Sequence, residues 1–201
     1  MCIKLGKIKI HIGFFAAAAA AFAFSCDMGE KYALVSVSVL LHELAHLLFM
    51  AGYGVTGANV VFGVGGVAIK AQGYQSLSFK QELVCLLSAP MVNIAVGLLL
   101  LPFTAHSTGL FSAAVINLSL GAVNILPLSF LDGGAALEKL LFLKGVTDGG
   151  KIFAACDFIC LALIFLLFLV FLFNKRNAAG IFFFAVYCLV NVSAKNSRSK
   201  A

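Results

Sequence analysis

Long apolar runs separated by short polar junctions dominate this chain of 201 residues. A helix rising about 1.5 Å per residue needs about 20 mostly apolar residues to cross the hydrocarbon core of a bilayer. Six runs qualify: roughly Ile8–Cys26, Ala33–Ala51, Leu83–Phe103, Leu110–Leu128, Ile152–Phe173 and Ala179–Ala194. The pattern predicts an all-α polytopic membrane protein with about six transmembrane helices, forming a single membrane-embedded domain over residues 1–201. The first run has a rival reading. Lys4, Lys7 and Lys9 precede it and "AFAFSC" closes it, which also fits a signal peptide. Phe24 and Ala23 fit a lipoprotein cleavage pattern poorly, so a retained helix is expected.

One junction is neither short nor polar. Tyr53–Gln75, "YGVTGANVVFGVGGVAIKAQGYQ", alternates and is rich in valine and glycine. It reads as short strands turning around Gly63, Gly65 and Gly66. Such a hairpin can dip into a membrane only where protein or a watery cavity covers its backbone. An ordinary cytosolic hairpin fits the pattern equally well. The longest remaining connection is Gly133–Lys151, the tail after Ala194 is short and basic, and there is no internal repeat.

Composition agrees with the pattern. The chain is 62% hydrophobic and 11% charged, whereas soluble domains are about half apolar and about a quarter charged. If the N-terminus is cytosolic, Lys4, Lys7, Lys9, Lys70, Lys80, Lys139, Lys144, Lys151, Lys195, Arg198 and Lys200 lie inside, and Lys31, Lys175 and Arg176 outside. This bias of eleven to three predicts cytosolic N- and C-termini. The basic residues form no patch interleaved with aromatics, which argues against a nucleic-acid partner. The six cysteines (Cys2, Cys26, Cys85, Cys156, Cys160 and Cys188) show no paired zinc-ligand spacing with histidines and read as small buried residues.

Ionisable groups inside an apolar helix are costly and mark cavities or partners. "VLLHELAHLLFM", Val39–Met50, contains three. His42 and His46 stand four apart and share a helix face, so two imidazoles can hold one zinc ion. Glu43 can serve as general base on the attacking water. A chance motif on a wet helix face is the bland alternative, but the apolar flanks "VSVLL" and "LLFM" leave little room for one. A proton relay or a metal-transport site is the better competitor. Catalytic zinc needs a third protein ligand. Asp132, in "NILPLSFLDGG" (Asn124–Gly134), is the candidate. Pro127 breaks the fourth span there, Gly133 and Gly134 permit a tight turn, and the predicted topology puts both motifs near the cytosolic side.

"HELAH" followed by "NILPLSFLDGG" resembles the site-2 proteases, the intramembrane zinc metalloproteases. Their second motif is Asn-x-x-Pro-x-x-x-x-Asp-Gly, which Asn124, Pro127, Asp132 and Gly133 match in spacing. "SAPMVN", Ser88–Asn93, is similar to a further family segment, with Ala89 in place of the usual glycine. The family also has a membrane re-entrant β-hairpin after its zinc helix, where "NVVFGVGGVAIKA" falls. The resemblance covers the catalytic core, about residues 33–134, and leaves 8–26, 152–173 and 179–194 as extra helices. The layout is most similar to the sporulation protein FB-type group, which cleaves a membrane-tethered sigma-factor precursor. No PDZ or CBS domain is expected.

The resemblance implies Zn2+ held by His42, His46 and Asp132, with Glu43 catalytic. Asn124, Asn93, Pro127, Gly65 and Gly66 are expected to bind substrate or steady the site. It implies hydrolysis of a peptide bond in or beside a transmembrane segment of a membrane-tethered protein substrate, with a possible membrane inhibitor or regulator. The location implied is a bacterial cell membrane or the membrane surrounding a forespore. The competing class is a non-enzymatic metal carrier or an inactive binding relative. A carrier should string polar groups across the whole membrane depth, and an inactive relative should lack Glu43 or a ligand.

Overall fold

The computed structural model describes residues 2–5, 8–12, 29–55, 58–63, 66–71, 73–146, 148–174 and 179–198. The chain divides into two units, residues 1–123 and 124–201. Among the described residues, four helical stretches are long and apolar enough to cross a membrane: Gly29–Gly52, Phe79–His106, Thr108–Ile125 and Gly149–Phe173. A shorter apolar helix covers Gly180–Lys195. The protein is an integral membrane protein.

The first unit begins with a sheet. Strands β1 (Cys2–Leu5), β2 (Ile8–Ile12), β3 (Ala58–Gly63) and β4 (Gly66–Ala71) lie in that order. β2 runs parallel to β3, and β3 pairs antiparallel with β4. The Gly63–Gly66 pair closes the β3–β4 turn; Val64 and Gly65 lie outside the described residues. Residues 8–12 are therefore a strand and not the start of a helix. Ile8, Ile10 and Ile12 alternate with Lys9 and His11, a period of two that suits a strand and that the long alanine-rich run behind it obscured. The rest of the expected first span, 13–26, lies outside the described residues.

Helix α1 (Gly29–Gly52) is followed by α2 (Phe79–Leu100) and α3 (Thr108–Ile125). α1 is inverted relative to a soluble helix. Its buried residues are Ser38, His42, Ala45, His46 and Met50, a stripe at helical spacing that carries its polar groups. Val37, Leu40 and Leu48 on the other faces are exposed, as lipid contact allows. The buried stripe packs on α2.

Ser78 and Gln81 form a reciprocal capping box that starts α2. Pro102, two residues past its end, leads into a 3-10 segment, Leu101–His106. Small residues bring α2 and α3 together: Ala89 and Ala114 are fully buried. A Cβ on Gly121 would stand 2.7 Å from both the Pro90 carbonyl oxygen and Ile94 Cγ1, so only glycine permits this approach.

The second unit contains α4 (Asp132–Leu143), α5 (Gly149–Phe173) and α6 (Ala179–Arg198). Leu128, Cys160, Cys188 and Val192 form its buried cluster, with Phe130 edge-on to Tyr187 at 5.8 Å between ring centroids. The stretch from Gly133 was expected to be a connection. It is largely helix α4, which at 12 residues is too short for the span-length criterion used on the sequence.

Candidate metal centre

His42 and His46 are 5% and 8% exposed, although each carries a ring that must hydrogen-bond at two nitrogens. Their ring planes are nearly perpendicular, with centroids 5.0 Å apart. His42 Nδ1 lies 2.7 Å from Asn93 Oδ1, and His46 Nδ1 lies 2.8 Å from the Cys85 carbonyl oxygen. Both oxygens can only accept, so both rings donate from Nδ1, and the neutral form of each ring has its lone pair on Nε2. This arrangement suits metal binding: a ligating histidine donates its other ring N–H to a carbonyl or carboxylate that orients it.

α2 supplies both partners. Pro90 removes a helical N–H donor one turn before Asn93, and Asn93 is fully buried. Asn93 was grouped with residues that bind substrate or steady the site; it stands against His42. Glu43, next on α1, is half-buried.

Asp132 is the first residue of α4 and half-buried. Asp132 is the third ligand expected from the sequence, and two imidazoles and one carboxylate are a donor set that fits zinc. Asn124 and Pro127, both half-buried, flank the end of α3 at Ile125. Gly66 opens β4, and Gly65 lies outside the described residues.

The backbone around Asp132 folds tightly. The Leu131 N–H donates to the Leu128 carbonyl at 2.9 Å. A Cβ on Gly133 would collide with the Ile125 carbonyl, and one on Gly134 with the Leu128 carbonyl. These contacts explain the glycine pair after the acid.

Three buried or half-buried residues with cross-helix hydrogen bonds were not singled out by sequence reasoning as functional: Asn117, Asp157 and Lys195. Asp157, on α5, is 3% exposed and its Oδ1 accepts the Ser129 N–H at 2.8 Å. Lys195, on α6, donates from Nζ to the Ser129 carbonyl and lies 3.5 Å from Glu138. Both main-chain groups of Ser129 are thus tied to the helices behind the Asp132 loop. The available signal was a lone acid in an apolar run, "ACDFIC". Asp157→Leu should raise the hydrogen-exchange rate of the Ser129 amide by about tenfold or more, since an unpaired buried donor costs about 1–3 kcal/mol. Asp157→Asn keeps an acceptor and should change it little. Equal protection in both variants would exclude Asp157 as the tether.

No family profile matches the chain. It is 34% identical over 146 residues to zinc metalloprotease MJ0392 of Methanocaldococcus jannaschii. That match takes in 68% of this chain but spans only 42% of the relative's length. Among solved structures, a site-2 protease from Methanocaldococcus jannaschii matches with a TM-score of 0.66 and 21% identity. The match covers 96% of this chain and 94% of that one. The chain therefore has the fold of a site-2 protease.

Proposed function

We propose that this chain is an intramembrane zinc metalloprotease of the site-2 type. The reading rests on one observation above all: two buried histidines, four residues apart, both oriented from behind through Nδ1. The acid of the downstream motif, Asp132, the zinc metalloprotease name of the Methanocaldococcus jannaschii relative and the shared fold support it. The reaction is hydrolysis of a peptide bond in or beside a transmembrane segment of a membrane-tethered protein. When bound, zinc would supply Lewis acidity, polarising a carbonyl and making water more acidic. Glu43 takes the proton of the attacking water and hands it to the departing amide nitrogen. Asn124 and Pro127 shape the approach to Asp132. A regulatory substrate such as a sigma-factor precursor is the finer reading drawn from the sporulation-type layout.

A transmembrane substrate must unwind locally, because a helix hides its peptide bonds in its own hydrogen bonds. Strand β4 is an edge strand of the sheet among the described residues. It follows the zinc helix and can hold an extended segment by strand addition. A re-entrant position for β3 and β4, beside the centre, goes with this role. The lysine and arginine bias supports cytosolic termini and a centre near the cytosolic face.

Zinc binding and chemistry separate cleanly. The purified protein should hold about one zinc per chain, as a single three-ligand site requires. Asp132→Ala should weaken binding, whereas Glu43→Gln should keep zinc and lose about a hundred- to ten-thousand-fold in cleavage rate. Undiminished zinc in Asp132→Ala would remove it as third ligand. Zinc binding without cleavage of any membrane-tethered substrate would favour a carrier.

Successive N–H groups of a strand point to opposite sides, so proline at Val67 or at Ala68 removes a donor from the outer edge of β4. One of these two variants should lose most cleavage while retaining zinc. Full activity in both would leave the hairpin a connector. Reporter fusions at Ala201 and between residues 174 and 179 should report opposite sides of the membrane; the same side for both would break the six-span topology.

A further inference from the structure

Asn117, in the middle of α3, hydrogen-bonds to Asn93, Ser38 and the Ala113 carbonyl, and the geometry points to it as a positioning residue. We propose that its side-chain amide sets the tautomer of His42, acting through Asn93. The functional consequence rests on the metal reading above; the tautomer assignment does not.

The argument runs from fixed acceptors inward. Asn117 Nδ2 donates to the Ala113 carbonyl at 2.9 Å and to Ser38 Oγ at 3.0 Å. A carbonyl only accepts, so this end of the amide must be the NH2. Asn117 Oδ1 therefore faces the other way, and it accepts from Asn93 Nδ2 at 2.8 Å. The same Nδ2 reaches the Ser38 carbonyl at the longer distance of 3.3 Å. Asn93 is thereby turned so that Oδ1 meets His42 Nδ1 at 2.7 Å. Ser38, His42, Asn93 and Asn117 are 4%, 5%, 0% and 4% exposed. Solvent is thus kept from the four groups, and their orientations are not averaged by exchange with bulk water.

The two histidines are held by different devices. His46 Nδ1 donates to a main-chain carbonyl, that of Cys85, which no side-chain rotation can change. His42 depends on an amide that could rotate by about 180° about its Cβ–Cγ bond, as asparagine allows. Rotation would present Nδ2 to His42 Nδ1 and drive the ring proton to Nε2, where it would block a metal. The shorter of the two bonds opposing that rotation is the one to Asn117. Its removal should therefore disturb His42 and leave His46 alone, an asymmetry that general loosening of the fold would not produce.

The test uses the full chain, metal-free in detergent micelles, with ¹⁵N-histidine labelling. His11→Gln and His106→Gln in the background leave only two histidine rings to read. Long-range ¹H–¹⁵N spectra report which ring nitrogen carries the proton, and chelator competition gives the zinc Kd. The parent should show both rings protonated on Nδ1. Asn117→Leu should shift His42 toward the Nε2–H form, leave His46 unchanged and weaken zinc about tenfold, the scale of one lost buried hydrogen bond. Asn117→Asp in its protonated form can donate to the Ala113 carbonyl while its other oxygen accepts from Asn93, and should restore both readouts to within about twofold. If Asn117→Leu does not fold, the smaller Asn117→Ser, whose hydroxyl is too short to reach Asn93, takes its place.

Nε2–H on His42 in the parent would overturn the proposal without any variant. So would unchanged His42 and zinc affinity in a folded Asn117→Leu, or equal changes at both histidines. A parent that binds no zinc would instead sink the metal reading, and the tautomer spectra would still decide the role of Asn117.

Discussion

A polar ring buried away from water must have its nitrogens hydrogen-bonded or bound to something, and the region around the two histidines follows from that requirement. His42 and His46 sit in an apolar segment of α1 at under a tenth of their full exposure. α2 meets the demand at Nδ1 of each ring, once by a side chain and once by a main-chain carbonyl. Fixing one nitrogen as a donor defines the chemistry of the other. A requirement of folding in a low dielectric thereby also orients the two rings that the proposed metal site uses.

Meeting this requirement shapes the helices around it. α1 turns its polar stripe inward and its leucines and valines outward, the reverse of a soluble helix. α2 and α3 approach closely because alanine and glycine occupy their shared face. Close packing of this sort replaces the hydrophobic driving force that lipid cannot supply between helices. It also brings Asn93 and Asn117 within hydrogen-bond reach, although they lie 24 residues apart in the chain.

The acid arrives by a different route. Asp132 starts a short helix after a proline-broken turn, and its loop is tied by both main-chain groups of Ser129 to helices further along the chain. A carboxylate at a helix N-terminus also sits favourably with respect to the helix dipole. Each of the proposed ligands thus stands on a defined backbone, the histidines on one helix and the acid on a braced turn, and regular elements place side chains more reproducibly than open loops do.

The sequence by itself determined the elements whose meaning is local. The four-residue spacing of His42 and His46 puts them on one helix face wherever that helix sits, and Pro127 disfavours continuing α3 past the residues before it. Apolar runs of span length reveal themselves in the same way. The strand at Ile8–Ile12 was equally local, but its period of two extended over only five residues and was absorbed by the apolar run that follows. α4 fell below the length that distinguishes a span. Tertiary structure alone decided the partners of the histidines: Asn93 is 51 residues from His42, and the Cys85 carbonyl is 39 from His46. A carbonyl has no letter of its own in the sequence, and Asn117 stands in no motif. Their roles depend on which helix faces pack together and at what depth, and no spacing along the chain encodes that.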